Sequence, residues 1–361
     1  MKKKIKLFDP VIGKDEKQKI FQVLESKFWA SGAGKGNVLK FENQFKKYLG
    51  SDDCIAVNSG TSALNLALSL INIKNKEVIL PSLSFVSTAH AVIINGGTPV
   101  FVDIEPETMC IDPNEIQKSI TPKTTAILPV HFGGFPCNLK DIQNIAEKHN
   151  LTIIEDAAHA VGATYNNKKI GNHGTAVCFS FHPVKNLAMP TGGLISINHK
   201  NHKQFKKTLL ARRWCGITDR IGSEYNVKEL GWNYYMNEFS AVIGLAQLKK
   251  LNRLNNIRKN IAKFYDNQID VEHKTVFNKD CSYHLYWILV KNRKKFREKM
   301  WKAGIETGTH YKPIHTMKMY QNHTVLLNTE RVGKQIVTIP IHPNLKTFEM
   351  DKIVSSINKF A

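Results

Sequence analysis

Long apolar runs and paired cysteines are both missing from this sequence of 361 residues. No stretch approaches the ~18 consecutive apolar residues of a membrane span, and the apolar run near the start is too short for a signal peptide. The six cysteines lie far apart, without a C-x-x-C pair or a spacing typical of zinc ligands. We therefore expect a cytoplasmic protein with reduced, buried thiols, no metal site and no membrane insertion.

Acidic residues are scarce, since 30 Asp and Glu stand against 51 Lys and Arg, for a net charge of +21. The excess consists mostly of scattered lysines, and the sequence contains neither an arginine-rich stripe nor an RNA-binding aromatic motif. We therefore expect no nucleic-acid binding. A general positive field would still attract a phosphorylated or nucleotide-linked small substrate.

The order of apolar segments predicts an α/β fold with two domains. Short segments rich in Val and Ile alternate with amphipathic segments from about residue 54 to 200, which is typical of a mostly parallel sheet covered by helices on both faces. A long helical stretch begins at Asn237. It leads into an α+β tail with a strand at 282–290, a helix at 294–304 and a loop-rich end. We predict a large domain over residues 1–250 and a small domain over 251–361.

The motif NSGTSAL, residues 58–64, follows the apolar segment CIAVN and precedes an amphipathic segment. A strand, a glycine-containing turn and a helix N-terminus with free N–H groups form a suitable phosphate site. Ser59 or Thr61 could also act only as an ordinary helix N-cap, and this motif alone favours that alternative.

Asp156 ends the apolar segment LTIIED, so we expect it at the carboxyl edge of the sheet, where open α/β sheets bind ligands. A carboxylate there could hold a protonated ring nitrogen, or it could merely cap the next turn. His159 could contact the same ligand or be a hydrogen-bonded histidine of the core.

Lys185 follows the apolar segment CFSFHPV and precedes Gly192 and Gly193, where the backbone can turn closely around a ligand. Most lysines are solvated surface groups. Partial burial would instead lower the pKa of this one and supply the neutral amine that forms a Schiff base with an aldehyde. A phosphate site, an aspartate for a pyridinium nitrogen and such a lysine together match the needs of pyridoxal 5′-phosphate (PLP).

The sequence resembles the DegT/DnrJ/EryC1/StrS aminotransferases, PLP enzymes of fold type I that aminate nucleotide-linked keto sugars. The resemblance runs in order through nearly the whole chain. It is carried by VLKFENQF, NSGTSALNLAL, EVILPSLSFVSTAHAVI, GGTPVFVDI, AILPVHFGG, IIEDAAHAVGA, FSFHPVKN, GWNYYMNEFSAVIGLAQL and HYKPIH. It implies a large PLP-binding domain with a smaller C-terminal α+β domain.

The resemblance also implies roles for individual residues. Lys185 would form the Schiff base with the cofactor, and Asp156 would pair with its pyridine nitrogen. The remaining cofactor contacts would be the phosphate ligands Gly60, Thr61, Ser62 and Ser180, the stacking ring Phe85, and His159 near the other face of the cofactor. Asn233 in GWNYYMNE matches an asparagine that reaches the phosphate from the partner subunit, so a homodimer with shared active sites is implied.

Four further residues are candidates for substrate binding. His310, Tyr311 and His315 belong to the motif HYKPIH, and Lys35 belongs to the insertion-like segment SGAGKGN, residues 31–37. Lys35 is a candidate for a phosphate of the nucleotide.

The sequence departs from the family pattern at two places. Pro190 and Thr191 stand where the family usually has Gly-Glu after its lysine, and Tyr235 stands where the family commonly has an arginine. The first departure affects the turn after Lys185 and the choice of substrate. The contacts of the missing arginine must be made differently.

We therefore predict a transaminase that moves an amino group, by resemblance from glutamate, to a nucleotide-linked keto sugar for amino-sugar biosynthesis. A PLP-dependent sugar dehydratase of the same family is one alternative, although those members replace the lysine with histidine. A non-catalytic regulator with the same fold is another. An amino-acid aminotransferase would normally need a C-terminal arginine for the substrate carboxylate, and after Arg297 the chain offers only Arg331.

Overall fold

The computed structural model describes residues 4–321 and 324–361. Its strands are β1 (Asp53–Val57), β2 (Glu77–Pro81), β3 (Thr98–Val102), β4 (Thr124–Ile127), β5 (Thr152–Asp156), β6 (Thr164–Tyr165), β7 (Lys168–Lys169), β8 (Ala176–Ser180), β9 (Gly193–Ile197), β10 (Ile217–Ile221), β11 (Glu224–Val227), β12 (Tyr286–Leu289) and β13 (Ile336–Ile339). Its helices are α1 (Lys14–Ser26), α2 (Asn37–Leu49), α3 (Gly60–Ser69), α4 (Ser87–Ile94), α5 (Pro113–Lys118), α6 (Leu139–His149), α7 (His202–Arg212), α8 (Glu238–Gln268), α9 (Arg293–Lys302), α10 (Leu327–Gln335) and α11 (Thr347–Phe360).

A seven-stranded sheet in the order β1-β9-β8-β5-β4-β2-β3 forms the centre of the protein. The neighbours from β8 to β3 pair in parallel, while β9 lies antiparallel between β1 and β8. The predicted α/β fold with a mostly parallel sheet is confirmed. Gly193 lies opposite both Val57 and Ser180, so the segments after β1 and β8 begin at the same edge.

Side chains of the central strands alternate between two hydrophobic clusters, as the period of two requires. In β1, Cys54 and Ala56 belong to one cluster, whereas Ile55 and Val57 belong to the other. All five β1 residues are buried. A strand buried on both faces reads as a continuous apolar run, which is why these segments are recognisable in the sequence.

Helices cover both faces of the sheet. Apolar residues of α2, α6 and α8 contribute to the first cluster, and those of α3, α4 and α7 contribute to the second. Short polar side chains cap several of these helices: Ser59 accepts from the Ser62 amide at the start of α3, and Asn237 accepts from the Ser240 amide at the start of α8. Within the described residues, no helix is long and apolar enough to cross a membrane.

The C-terminal part contains more regular structure than expected. β12 and β13 pair antiparallel, and α9 and α11 pack against each other. The prediction of a loop-rich end holds for the described residues of 305–326 but is wrong after them, where α10, β13 and α11 follow one another. The α11 residues Ile353, Val354 and Ile357 recur at helical spacing on one buried side, and Glu349 accepts from the backbone N–H of Lys346 at the helix start.

The helix α8 runs without interruption through the boundary predicted at residue 250. Arg258 in its second half donates to the carbonyl of Ile341, and Asn255 donates to the carbonyl of Val161. We propose that the large and small domains divide near residue 250 and share this helix.

Five of the six cysteines are buried, whereas Cys215 is exposed. The prediction that all the thiols are buried is therefore wrong at Cys215, which precedes the exposed hairpin β10–β11. No disulfide links cysteines in the part of the chain that the structure describes.

Candidate functional site

A cavity of about 350 Å³ lies where the carboxyl ends of β5 and β8 meet the start of α3. Its volume is within the range of sites for small molecules. Nine residues predicted from the sequence line it: Gly60, Thr61, Phe85, Asp156, His159, Ser180, Lys185, His310 and Tyr311. The structure therefore brings residues from five separate segments together.

Two predicted cofactor ligands, Ser62 and Asn233, line a neighbouring open hollow instead. The Ser62 hydroxyl donates to Oδ1 of Asn58 over 2.6 Å, and the carbonyl of Asn233 accepts from the side-chain Nδ2 of Asn58. Thr191 borders both spaces, and its hydroxyl donates to the carbonyl of Asn58. Tyr235, which replaces the family's arginine, also lines this hollow.

Two predicted substrate ligands lie outside both spaces. Lys35 is exposed in the turn before α2, and the start of that helix is held by Glu238, which accepts from the amide of Asn37. His315 is buried away from the cavity, with Nδ1 2.6 Å from the Ser82 hydroxyl. His315 is therefore held by core contacts in this chain.

The turn from Ser59 to Thr61 forms one wall of the cavity. Ser59 caps α3, and the first amide groups of a helix have no acceptor within that helix. A Cβ at Gly60 would come within 2.7 Å of Ser180 Cβ, and a Cβ at Gly193 would overlap the carbonyl oxygen of Ser59. Glycine at both positions lets the three segments approach closely and leaves the helix N-terminus open to an anion.

Asp156 forms the floor of the cavity at the end of β5. Its Oδ1 accepts from the amide of Ala158 over 3.0 Å, and its Oδ2 accepts from the Thr88 hydroxyl over 2.9 Å. Burial raises the pKa of Asp156 above the usual range, while these two donors and the nearby Lys185 favour the carboxylate. A cationic group in the cavity would favour it further.

Lys185 lies in the loop between β8 and β9. The loop begins with two tight backbone hydrogen bonds, from Lys185 N to the carbonyl of His182 and from Met189 N to that of Phe181. The side chain is partly buried, and burial lowers the pKa of Lys185 to about 8, although the negative charge of Asp156 opposes this shift. A substantial fraction of this amine is therefore neutral near physiological pH.

His159 and Tyr311 form a stacked pair above the floor, with ring centroids 5.9 Å apart. Nδ1 of His159 accepts from the Gly133 amide, so the proton of the neutral imidazole is on Nε2, which donates to the Tyr311 oxygen over 3.1 Å. Burial lowers the pKa of His159 well below its usual value, so the ring is neutral. The Tyr311 hydroxyl keeps its own proton free to donate into the cavity.

Phe85 lies at the mouth of the cavity and is 57% exposed, with its ring centroid 6.1 Å from that of Tyr311. His310 lies beside Tyr311, and its Nδ1 is 2.7 Å from the Thr338 hydroxyl. Burial and the charge of Lys185 lower the pKa of His310 to about 4. The mouth is therefore aromatic and uncharged at neutral pH.

The sequence analysis missed several residues of the site. Ser84, Ser87 and Thr88 line the cavity, and the hydroxyl-rich segment SLSFVST after an apolar strand was a detectable signal. His284 lies 3.4 Å from Nζ of Lys185 through its Nε2. No local signal could have identified it, because 99 residues separate the two in the chain.

A larger hollow of about 520 Å³ lies between α1 and the segment from Pro183 to Pro190. Its lining is mostly apolar, as with Ile20, Phe21 and Met189. Its described lining includes no hydroxyl or imidazole side chain, and its carboxylate, Glu16, is already paired with Lys250. The candidate site is therefore the smaller cavity.

The residues of the smaller cavity fit pyridoxal 5′-phosphate. The open N-terminus of α3 and the hydroxyls of Thr61 and Ser180 suit a phosphate. The buried carboxylate of Asp156 suits a protonated ring nitrogen, and the amine of Lys185 suits an aldehyde. These three kinds of group are present in one cavity of suitable volume.

The model of the DegT/DnrJ/EryC1/StrS aminotransferase family matches residues 10–358 of the chain. The uncharacterized protein MJ1066 of Methanocaldococcus jannaschii is 34% identical, over 98% of this chain and 96% of that protein.

Two solved structures are also similar across almost the whole chain. Helicobacter pylori PseC, an aminotransferase involved in the biosynthesis of pseudoaminic acid, superposes with a TM-score of 0.93 at 30% identity and covers 99% of both chains. Spr1654 from Streptococcus pneumoniae in its PLP form superposes with a TM-score of 0.92 at 25% identity, over 99% of this chain and 98% of that one.

Proposed function

This chain belongs to the DegT/DnrJ/EryC1/StrS aminotransferase family, and we propose that it transfers an amino group from glutamate to the keto group of a nucleotide-linked sugar. The observation that carries the proposal is the position of the Lys185 amine in the same cavity as the buried Asp156 carboxylate. PLP is the cofactor of this aminotransferase, and when bound it supplies an electron-accepting ring.

In our proposal Lys185 holds the cofactor through its amine until the amino donor arrives. The freed Nζ, with a pKa lowered to about 8 by burial, then accepts the proton from the α-carbon of the donor. In the second half of the reaction the same nitrogen delivers a proton to the sugar carbon that receives the amino group. A pKa near the working pH suits both directions of transfer.

Asp156 keeps the ring nitrogen of the cofactor protonated in this proposal, and Thr88 and Ala158 support it by donating to its two oxygens. The first turn of α3, with Thr61 and Ser180, holds the phosphate. Ser62 supports the same turn through its hydrogen bonds to Asn58 and Ser59. His159 and Phe85, which both line the cavity, would contact the cofactor ring.

We further propose that the active enzyme is a homodimer in which Asn233 of one chain completes the site of the other. Asn233 does not line the cavity that contains Lys185 in its own chain. It lines the adjoining hollow, and Ser59 and Thr191 border both spaces. The hairpin that precedes Asn233 exposes large apolar side chains, with Ile221 81% and Tyr225 56% exposed. Such an exposed apolar surface supports contact with a second copy.

The sugar dehydratase alternative is disfavoured because the chain has a lysine at position 185.

The test uses the PLP-loaded protein with isotopically labelled glutamate and a panel of UDP-, GDP- and dTDP-linked keto sugars. Mass spectrometry should detect transfer of the label to at least one nucleotide sugar. Lys185→Ala is the inactive control, and the same keto sugars without a nucleotide test whether the nucleotide is needed. Transfer of the label only to α-keto acids would contradict the proposal and favour an amino-acid aminotransferase.

A further inference from the structure

The side chain of Lys185 makes one polar side-chain contact within the described residues, to a histidine of the C-terminal part of the chain. Nζ of Lys185 lies 3.4 Å from Nε2 of His284. His284 is only 2% exposed. Its other ring nitrogen, Nδ1, has no hydrogen-bond partner in the part of the chain that the structure describes.

The surrounding contacts hold His284 firmly beside Lys185. Asn186, the next residue after the lysine, donates to the carbonyl of Ser282 over 2.7 Å. The amide of His284 donates to the carbonyl of Gly133 over 2.9 Å. The ring stacks on Phe8, with centroids 5.6 Å apart and planes 19° apart. The segment that carries His284 is therefore tied to the loop that carries Lys185.

His284 is neutral in this environment. Burial, followed by the charge of Lys185 and then by His159 and Arg258, lowers the pKa of His284 well below its usual value. A neutral imidazole has one N–H and one lone pair, and which nitrogen carries the proton depends on its partners. With its proton on Nδ1, the ring can accept at Nε2 from the ammonium form of Lys185. With its proton on Nε2, it can donate to the neutral amine.

We propose that His284 is a positioning residue that holds the Lys185 amine in place in both of its protonation states. The inference rests on the proposed function, in which this amine must accept and return a proton while it is detached from the cofactor. The neutral amine keeps two N–H groups beside its lone pair, so the Nε2 lone pair of His284 can accept from Lys185 in both protonation states. A side chain that could only donate would lose its contact with the ammonium form, which has no lone pair.

Other groups also act on the charge of Lys185, so the test must separate their effects. Asp156 faces it from the end of β5 and favours the ammonium form. The pKa values of His159, His182 and His310 are lowered in part by the charge of Lys185, so these rings are close enough to interact. The His159 ring also contacts the His284 ring directly, with centroids 4.6 Å apart, so its surroundings change when His284 is replaced.

Two variants at this position distinguish positioning from packing. His284→Phe keeps an aromatic ring to stack on Phe8 but removes both nitrogens. His284→Gln loses the ring but offers an oxygen that accepts and an N–H that donates. If the contact with Lys185 matters, His284→Gln should behave more like the wild type than His284→Phe does. If only packing matters, His284→Phe should behave more like the wild type.

The first measurement uses protein without cofactor. Competitive acetylation across a pH series, read by mass spectrometry of the Lys185 peptide, gives the apparent pKa of this amine. We expect His284→Phe to lower this pKa, because the ammonium loses its acceptor, and His284→Gln to return it toward the wild-type value. Thermal unfolding of each variant shows whether the fold is retained.

The second measurement follows the absorbance change when PLP is added to protein without cofactor. We expect capture of PLP by His284→Phe to be slower by about tenfold or more, with His284→Gln close to the wild type. The rate of the first half-reaction with glutamate in a single turnover should fall in the same order.

Equal labelling and capture in the wild type and both variants would overturn the inference. A defect in His284→Gln that exceeds the defect in His284→Phe would also overturn it, since that order indicates packing alone. In both cases wild-type protein that still binds PLP at Lys185 leaves the proposed function intact. Wild-type protein that captures no PLP at Lys185 would instead contradict the proposed function.

Discussion

The hydroxyl of Thr88 donates to Oδ2 of Asp156 over 2.9 Å, and so links the first turns of α4 to the end of β5. Ser84 reinforces this contact, since its hydroxyl lies 2.7 Å from that of Thr88. The hydrogen bond favours the carboxylate against the burial that raises the pKa of Asp156. Thr88 is thus the residue through which the segment SLSFVST acts on the candidate catalytic aspartate.

Replacing Thr88 with valine preserves shape but removes this donor. A hydrogen bond to a charged group contributes about 1.5–3 kcal/mol, so we expect kcat/KM to fall by roughly tenfold or more. Because the pKa of Asp156 rises further, the acidic limb of the pH profile should move to higher pH. Thr88→Ser retains the hydroxyl and is the control. Equal profiles for the two variants would show that the bond does not affect catalysis.

Asp156→Asn keeps the size of the side chain but removes its charge. The ring nitrogen of the cofactor would then lose the partner that keeps it protonated, and we expect turnover to fall by a factor on the order of 10² to 10⁴. The variant must be shown to hold PLP by its absorbance. Near-normal turnover would mean that Asp156 only caps the turn at Ala158, whose amide it accepts.

Borohydride should attach the cofactor permanently to Lys185, and peptide mapping should find the label there. Lys185→Ala should bind PLP without this attachment and lose turnover, because no other described lysine lines the cavity. Lys200→Ala changes an exposed lysine and should match the wild type in both measurements. A label at another lysine would remove Lys185 from its proposed role.

Mixing Lys185→Ala with Asn233→Ala tests the shared active site. At random assortment half of the dimers contain one chain of each kind, and each mixed dimer has one site without either defect. Activity should therefore recover to roughly a quarter of the wild-type value. The test requires that Asn233→Ala by itself has markedly lower activity than the wild type. Differently tagged chains must confirm subunit exchange. If Asn233 acts only within its own chain, mixing will restore nothing.

Glu42→Gln tests a buried ion pair that supports the sheet. Glu42 lies 2.6 Å from the fully buried Arg213 and also accepts from the amide of Ala56 in β1. Loss of the charge leaves a buried guanidinium uncompensated, so the free energy of unfolding should fall by about 3–5 kcal/mol. Urea unfolding measures this change. Glu115→Gln, which alters an exposed pair with Lys118, should leave the midpoint unchanged.

The sequence by itself determined the α/β architecture around the central sheet. Strands buried on both faces must be continuously apolar, so β1, β5 and β8 were recognisable without any contact information. Because parallel strands share their carboxyl edge, Asp156 and Ser180 could be expected at one site with the turn after β1. Gly193 was expected where the backbone turns closely around a ligand, and in the structure its close neighbour is the backbone of Ser59.

Only the tertiary structure decided which of the other candidates meet. His315 and Lys35 belong to recognisable motifs, yet one is buried beside Ser82 and the other is exposed at the start of α2. Neither outcome follows from local pattern, because both depend on which segment packs next to them.

The contact between Lys185 and His284 shows most clearly that the sequence does not predict which polar side chains meet. His284 precedes a short apolar strand and looks like an ordinary residue of the C-terminal part. It reaches the lysine because Asn186 binds the carbonyl of Ser282 and because the turn at Gly133 accepts the His284 amide. Periodicity and composition predict which residues of a segment are buried and which are exposed to water. Pairing of polar groups across 99 residues is set by the folded chain alone.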